Sequence, residues 1–193
     1  MENLLSEMRG YAAANRIPVM LFETEKILRE QLKKHSPKRI LEIGTAIGLS
    51  GIIMLSECGN ALLYTVEIDE KAADTAVENF KKAGVRQRVT LWRGDALEIV
   101  RYLTGSFDFI LLDGPKGHYY ELLPYLKKLL PSGGVLFADN VLFKGYTQAE
   151  KIGHKHRTIV NSLREYLADI QGDAAFESGL LSIGDGISIA IKK

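Results

Sequence analysis

Three oxygen-bearing side chains follow two apolar stretches of this 193-residue sequence, and their types are those that bind a hard metal ion. Asp113 follows the run Phe107 to Leu112, and Asp139 with Asn140 follows the run Gly134 to Ala138. If both runs are neighbouring strands, the sequence predicts Asp113, Asp139 and Asn140 as metal ligands. Two carboxylates and an amide, completed by water or substrate, suit Mg²⁺ better than zinc, and no histidine or cysteine cluster points to a softer metal. The alternative is that Asp113 begins a turn and Asp139 with Asn140 caps a loop.

Lys116 lies three residues after Asp113 and is a candidate acid-base group. A lysine beside a divalent cation gives up its proton more readily, and the same cation makes a bound hydroxyl more acidic. Lys116 can therefore accept or guide the proton of a substrate hydroxyl. Lys116 and Asp113 are the predicted catalytic residues, and a solvated loop lysine is the alternative.

A turn with glycines at Gly44 and Gly48 follows the apolar run Arg39 to Ile43. Glycine accepts positive φ and has no side chain, so a ligand can approach amide groups that the following helix leaves unpaired. The turn lacks the G-x-G-x-x-G spacing of dinucleotide folds and lacks a basic residue, and Glu42 precedes it. A diphosphate is therefore disfavoured and a cationic ligand with an amino group is favoured. S-adenosylmethionine fits that description, whereas a connection without a ligand is the alternative.

Two further acids lie where the next strands end. Glu67 closes the run Leu62 to Val66, at the position where doubly wound folds place an acid that binds a ribose diol. Asp95 can cap the helix that begins at Ala96, accept a hydrogen bond from an adenine amino group, or do both. The alternative for Glu67 is a surface carboxylate at a strand end.

The segments that carry these residues alternate between strand and helix patterns. Such alternation predicts an α/β, Rossmann-like, doubly wound sheet that is mostly parallel, with ligands beyond the carboxyl ends of the strands. The predicted strands are 39–43, 61–68, 88–92, 107–112, 134–138, 174–182 and 186–191, and the predicted helices are 2–14, 22–34, 49–58, 70–83, 96–103, 119–130 and 155–171. Only Gly184-Asp185-Gly186 separates the last two strands, which predicts an antiparallel hairpin at one edge of a seven-stranded sheet.

Length and composition predict a single domain, with N-terminal helices in residues 1–37 and the α/β core in residues 38–193. A hydrophobic content of 46% and a charged content of 25% are ordinary for a soluble protein, and no apolar run approaches the ~20 residues that span a bilayer. The acidic N-terminus does not resemble a signal peptide, which predicts a cytoplasmic protein without a membrane partner. The net charge of +1 gives no global field for nucleic acid, so such a partner would need a local patch.

The first predicted helix carries an apolar stripe at helical spacing. The stripe consists of Leu4, Leu5, Met8, Tyr11 and Ala12. Since a second subunit could cover this stripe, we expect a homodimer.

Several segments together are similar to successive motifs of the metal-dependent class I O-methyltransferases of the caffeoyl-CoA and catechol type. They are residues 41–50, 66–69, 94–96, 113–117 and 139–143, and the resemblance extends from Ile17 to Ile191. Residues 141–145 and 184–186 most resemble the bacterial enzymes that methylate 5-hydroxyuridine at the wobble position of tRNA. The resemblance implies an S-adenosylmethionine cofactor whose binding residues are Met20, Glu42, Gly44, Thr45, Gly48, Ser50, Glu67, Asp95, Ala96 and Asp113. It places Glu42, Gly44, Thr45 and Ser50 around the methionine moiety. It also places Glu67 on the ribose and residues 18–20 over the cofactor.

The resemblance also implies that the metal binds two adjacent oxygens of the acceptor. 5-Hydroxyuridine in tRNA is the predicted acceptor, and a small catechol-like or phenylpropanoid phenol is the alternative. A locally basic stretch is either a solvated helix face or a site for tRNA phosphates, and it contains Lys144, Lys151, His154, Lys155, His156 and Arg157. The chain departs from the family where Gly114-Pro115 replaces the usual Ala-x before the lysine.

Two other functional classes stay open from the sequence. A nicotinamide-dependent reductase is disfavoured by the glycine spacing, and a non-catalytic RNA-binding module would need neither Lys116 nor a metal.

Overall fold

Seven strands form one mixed sheet in the order β3-β2-β1-β4-β5-β7-β6, in a computed structural model that describes all 193 residues. The strands are β1 (Arg39–Ile43), β2 (Leu62–Glu67), β3 (Val89–Arg93), β4 (Phe109–Leu112), β5 (Val135–Ala138), β6 (Phe176–Leu181) and β7 (Ile187–Lys192). The helices are α1 (Glu2–Asn15), α2 (Phe22–His35), α3 (Leu49–Glu57), α4 (Glu70–Lys82), α5 (Ala96–Val100), α6 (Tyr119–Leu129) and α7 (Arg157–Gly172). The predicted fold class and order of elements are confirmed.

The strand directions follow from the sequence pattern. Strands β4 and β5 are apolar at every position and fully buried, as expected for parallel strands that helices cover on both faces. Strands β1, β2 and β3 pair in parallel, and so do β4 and β5. Strand β7 pairs antiparallel with both β5 and β6, so the predicted hairpin is confirmed with β6 as the edge strand.

Helix α5 is shorter than the predicted helix 96–103. It ends at Val100, and the next residues form i→i+3 hydrogen bonds, from the Tyr102 amide to Ile99 and from the Leu103 amide to Val100. Such bonds tighten the chain beyond the geometry of an α-helix, so the predicted helix becomes a turn before β4.

The chain divides into two compact units, residues 1–96 and 97–193. The first contains α1 to α4 and β1 to β3, around a core that includes Leu28, Leu41 and Phe80. The second contains β4 to β7 with α6 and α7, around a core that includes Phe109, Phe137 and Tyr166. The single domain over residues 1–193 stays a prediction.

Part of the apolar stripe of α1 is already buried within the chain. Leu5, Met8 and Ala12 are buried, whereas Tyr11 keeps 49% of its surface exposed. The homodimer therefore stays a prediction, with less unburied apolar surface on α1 than the sequence indicated. None of the helices combines the length and the apolar character needed to span a membrane.

Candidate functional site

Backbone hydrogen bonds hold the turn after β1 against the end of β2. The amides of Gly44 and Thr45 both donate to the Val66 carbonyl, at 3.0 and 3.2 Å. Gly48 adopts a φ of +85°, and a Cβ there would lie 3.0 Å from the Phe80 ring. Glycine at this position therefore allows α3 to begin close to α4. No side chain caps the N-terminus of α3, so its first amide groups can donate to a ligand.

The carboxylate of Glu67 lies at this turn. It accepts hydrogen bonds from the amides of Ala46, at 2.7 Å, and Asp69, at 2.9 Å. Asp69 itself caps α4 by accepting from the Ala72 amide at 2.8 Å. The two acids that end β2 thus have separate roles, because Asp69 begins a helix while Glu67 brings its charge to the glycine turn.

Glu42 lies beneath the turn, where it has no exposed surface. Its carboxylate accepts hydrogen bonds from the hydroxyls of Ser50 and Thr65, and the Thr65 hydroxyl also contacts that of Thr45. The structure therefore brings the predicted residues Glu42, Thr45 and Ser50 together in one buried hydrogen-bond network. Sequence reasoning missed Thr65, whose available signal was a polar residue within the buried strand β2.

The other predicted cofactor residues of the first unit are distributed over two loops. Met20 is buried, and its carbonyl accepts a hydrogen bond at 2.7 Å from Arg9, a contact that no sequence pattern indicated. Asp95 is exposed after β3, and the buried Ala96 begins α5. The amide of Gly94 donates to the Glu67 carbonyl at 2.8 Å, so the loop that carries Asp95 starts beside the end of β2.

In the second unit, Asp113 and Asp139 follow paired positions of two parallel strands. Leu112 of β4 is in register with Ala138 of β5, and the Asp139 amide donates to the Leu112 carbonyl at 3.0 Å. Asp139 is 1% exposed, whereas the side chain of Asp113 keeps 20% of its surface exposed. The expectation that the two carboxylates follow neighbouring strands is confirmed.

Asn140 adopts a left-handed backbone conformation with a φ of +57°. Asparagine tolerates this region better than most residues, and the backbone N–H of Asn140 donates to Asp139 Oδ1 at 2.7 Å. The sharp turn after Asp139 thus places the third predicted ligand directly beside the second.

Lys116 forms an ion pair with Asp113, with 3.5 Å between Nζ and Oδ1. Pro115 is extended, at φ −71° and ψ 100°, and a 3₁₀ turn then begins at Lys116. The replacement Gly114-Pro115 therefore leaves Lys116 within reach of Asp113. Burial raises the pKa of the Asp113 carboxyl, and the Lys116 ammonium partly opposes that rise.

The predicted metal set fits a hard cation chemically. Asp113, Asp139 and Asn140 supply only oxygen donors if the amide oxygen is used, and His, Cys, Asp and Glu form no group of three that could hold a metal on their own. Because burial penalises the charge of Asp113, a cation beside it would favour the ionised form.

Tyr119 joins the ends of β4 and β5 and was missed by sequence reasoning. Its buried hydroxyl lies 3.0 Å from the carbonyl oxygens of both Leu112 and Asp139, which share its single proton. Burial raises the pKa of Tyr119 well above its usual value, and the charges of Asp113 and Asp139 raise it further. Tyr119 therefore supports the backbone that carries Asp113 and Asp139, and only its contacts in the folded chain reveal it.

The hairpin turn between β6 and β7 holds the segment that follows Asn140. The amides of Val141 and Leu142 donate to the carbonyls of Gly186 and Asp185, at 3.0 and 2.9 Å. The Asp185 carboxylate also accepts from the Lys144 amide. The loop beside the predicted metal ligands is thus fixed by contacts to a distant part of the chain.

Comparisons with known proteins extend over nearly the whole chain. A family model described as O-methyltransferase matches residues 1–193. The catechol O-methyltransferase of Niastella koreensis is 32% identical over 166 residues, covering 81% of this chain and 74% of that protein. The caffeoyl-CoA O-methyltransferase of Stellaria longipes is 28% identical over 175 residues, covering 84% and 71%. The structure of an O-methyltransferase from Bacillus cereus in complex with SAH is 25% identical, with a TM-score of 0.87 and coverage of 99% and 91%.

Proposed function

The chain belongs to the O-methyltransferase family and is an S-adenosylmethionine-dependent O-methyltransferase, and from that premise we propose that its acceptor is a small phenol with two adjacent oxygens. The observation that carries the proposal is the pair of acids Asp113 and Asp139 directly after the neighbouring strands β4 and β5, with Lys116 Nζ 3.5 Å from Asp113 Oδ1. The relatives named for catechol and caffeoyl-CoA support a phenolic acceptor.

We assign cofactor binding to the turn after β1. The half-buried carboxylate of Glu67 accepts from the ribose hydroxyls in addition to its two backbone donors, and the uncapped amides at the start of α3 donate to the carboxylate of the methionine end. The charge of Glu42 beneath the turn favours the ammonium group of the same end. Asp95 accepts from the adenine amino group.

We assign the divalent cation, with Mg²⁺ as the expected metal, to Asp113, Asp139 and Asn140. When bound, such a cation supplies a template for the two acceptor oxygens and makes the reacting hydroxyl more acidic. Once Lys116 Nζ has released its own ammonium proton to solvent, it would accept the hydroxyl proton of the acceptor. The oxygen would then form a bond to the methyl carbon, and the electrons of the broken carbon–sulfur bond would pass to sulfur. Tyr119 and the register of β4 with β5 hold the carboxylates in place during the reaction.

The basic stretch favours a second candidate acceptor, 5-hydroxyuridine in tRNA. Lys144, Lys151, Lys155 and Arg157 are exposed within a short segment in which Glu150 is the one acid. A cluster of exposed cations suits phosphate contacts. The relatives described above are named for small phenolic acceptors, so tRNA stays a prediction.

Methyl transfer from labelled S-adenosylmethionine tests these proposals on a panel of catechols and caffeate, beside tRNA that carries 5-hydroxyuridine. We expect label on a catechol and loss of transfer in excess EDTA, with recovery on adding Mg²⁺. Label on tRNA alone would reject the phenol proposal, and full transfer in EDTA would reject the metal assignment.

Lys116→Met tests the proton acceptor. We expect the turnover number to fall roughly 10²- to 10⁴-fold while SAH affinity stays unchanged. Lys128→Met is the matched control, because Lys128 is exposed on α6 in the same unit and should be neutral. Equal activity of the two variants would contradict the assigned role.

A further inference from the structure

Thr65 occupies the centre of the buried network beneath the turn after β1. It has no exposed surface, and its hydroxyl contacts both Glu42 Oε2, at 2.6 Å, and the hydroxyl of Thr45. The second oxygen of Glu42 accepts from Ser50, which is 8% exposed at the start of α3. Thr65 thus links β1, β2 and the turn through one side chain.

The direction of these hydrogen bonds follows from the number of protons. A hydroxyl carries one proton and two lone pairs, and an ionised carboxylate only accepts. Thr65 spends its proton on Glu42, so the bond between the two threonines requires Thr45 as the donor. Ser50 likewise spends its proton on Glu42. Thr45 and Ser50 are therefore left with acceptor capacity alone.

We propose that Thr65 is a positioning residue that holds Glu42 and Thr45 in one arrangement. In this arrangement the hydroxyls of Thr45 and Ser50 can only accept hydrogen bonds. They therefore select a donor, the ammonium group at the methionine end of the cofactor. The proposal rests on the assignment of the cofactor to this turn. It adds a residue that contacts no ligand and acts through Glu42, Thr45 and Ser50. The uncapped amides of α3 supply the opposite preference, for the carboxylate of the same ligand.

Removal of the Thr65 hydroxyl should weaken the recognition of one end of the ligand only. In Thr65→Val, Glu42 loses the Thr65 donor and keeps the Ser50 donor. The Thr45 hydroxyl loses its acceptor, so its proton can turn toward the ligand. Hydrogen bonds to charged groups contribute enough that we expect about a tenfold loss of affinity for a ligand with the ammonium group. A ligand without the amino-acid end should lose less than about twofold.

Calorimetric titration with SAH and with 5′-methylthioadenosine, which lacks the amino-acid end, tests this inference. The variants are Thr65→Val, Thr65→Ser, which keeps the hydroxyl, and the matched control Thr147→Val. Thr147 is also buried, but its hydroxyl donates to the Leu142 carbonyl at 3.1 Å in the second unit. We expect the tenfold loss for SAH alone and in Thr65→Val alone, with wild-type affinity in Thr65→Ser.

An equal loss for both ligands in Thr65→Val would overturn the proposal, because it would indicate a general disturbance of the turn. Unchanged SAH affinity would overturn it as well. If Thr65→Val does not fold, Glu42→Gln provides the test. The Gln side chain accepts through its oxygen but donates through its nitrogen, so one of the two hydroxyls that now donate to Glu42 must accept instead. The proton of that hydroxyl then points toward the ligand. Glu42→Gln should show the same selective loss for SAH. A wild-type protein that binds neither ligand would reject the cofactor assignment itself.

Discussion

Gly186→Ala should be among the most destabilising single-methyl additions in the second unit. Gly186 has a φ of +87°, and a Cβ at this position would lie 2.8 Å from Leu142 Cβ and 2.9 Å from Leu142 Cδ1, with Cγ nearer still. The left-handed conformation costs an alanine about 1–2 kcal/mol. Overpacking against a buried side chain costs about 1–3 kcal/mol more. We therefore expect a loss of about 2–5 kcal/mol in the free energy of unfolding.

Two control variants separate these contributions. Gly133→Ala carries the conformational cost alone, because Gly133 has a φ of +79° and nothing lies near its missing Cβ. Gly179→Ala lacks both costs, since Gly179 lies on the edge strand β6 with open space around it. We expect losses of about 1–2 kcal/mol for Gly133→Ala and at most about 0.5 kcal/mol for Gly179→Ala.

Urea denaturation of the three variants measures these free energies, and two further assays measure the effect on function. The amides of Val141 and Leu142 bond to the Gly186 turn, so a displaced turn should move the segment after Asn140 and lower methyl transfer. SAH affinity should stay within about twofold, because the residues assigned to the cofactor, from Glu42 to Asp95, lie in the first unit. If Gly186→Ala is no less stable than Gly133→Ala, the close approach to Leu142 has no energetic effect and the reasoning is refuted.

Three further predictions concern other residues of the second unit. Tyr119→Phe should lose about 1 kcal/mol of stability, because buried carbonyl oxygens lose a donor, and an unchanged urea midpoint would contradict this. The hydrogen bond from Lys127 lowers the pKa of Asp173, so its stabilisation is present above the unfolded pKa of about 3.9 and is lost as the pH falls through the folded value. The stability difference between wild type and Asp173→Asn should therefore shrink on acidification, and a constant difference would refute the assignment. Asn140→Gly should keep stability within about 1 kcal/mol, because glycine accepts the φ of +57°. The same variant should need a higher Mg²⁺ concentration for half-maximal methyl transfer. An Mg²⁺ dependence equal to that of the wild type would exclude Asn140 as a ligand.

The paired acids show how far local sequence patterns reach. The apolar runs of β4 and β5 predicted buried parallel strands, and acids at their ends had to meet wherever the strands lie in register. Lys116 was placed near Asp113 by its short separation in sequence, and the ion pair confirms this. Chemistry that depends on neighbours within a few residues, or on the regular geometry of strands, is therefore predictable from the sequence.

The sequence by itself determined the alternation of strands and helices, the glycine turn and the acids at strand ends, because each of these depends on short-range spacing and on burial of apolar residues. Only the tertiary structure decided that Glu42 lies beneath the turn, that the Thr65 hydroxyl donates to Glu42, and that the Tyr119 hydroxyl contacts the backbone carbonyls of Leu112 and Asp139. These contacts join side chains from different elements, and their partners depend on strand register and helix placement. A buried polar group must find a partner, but the sequence does not state which one.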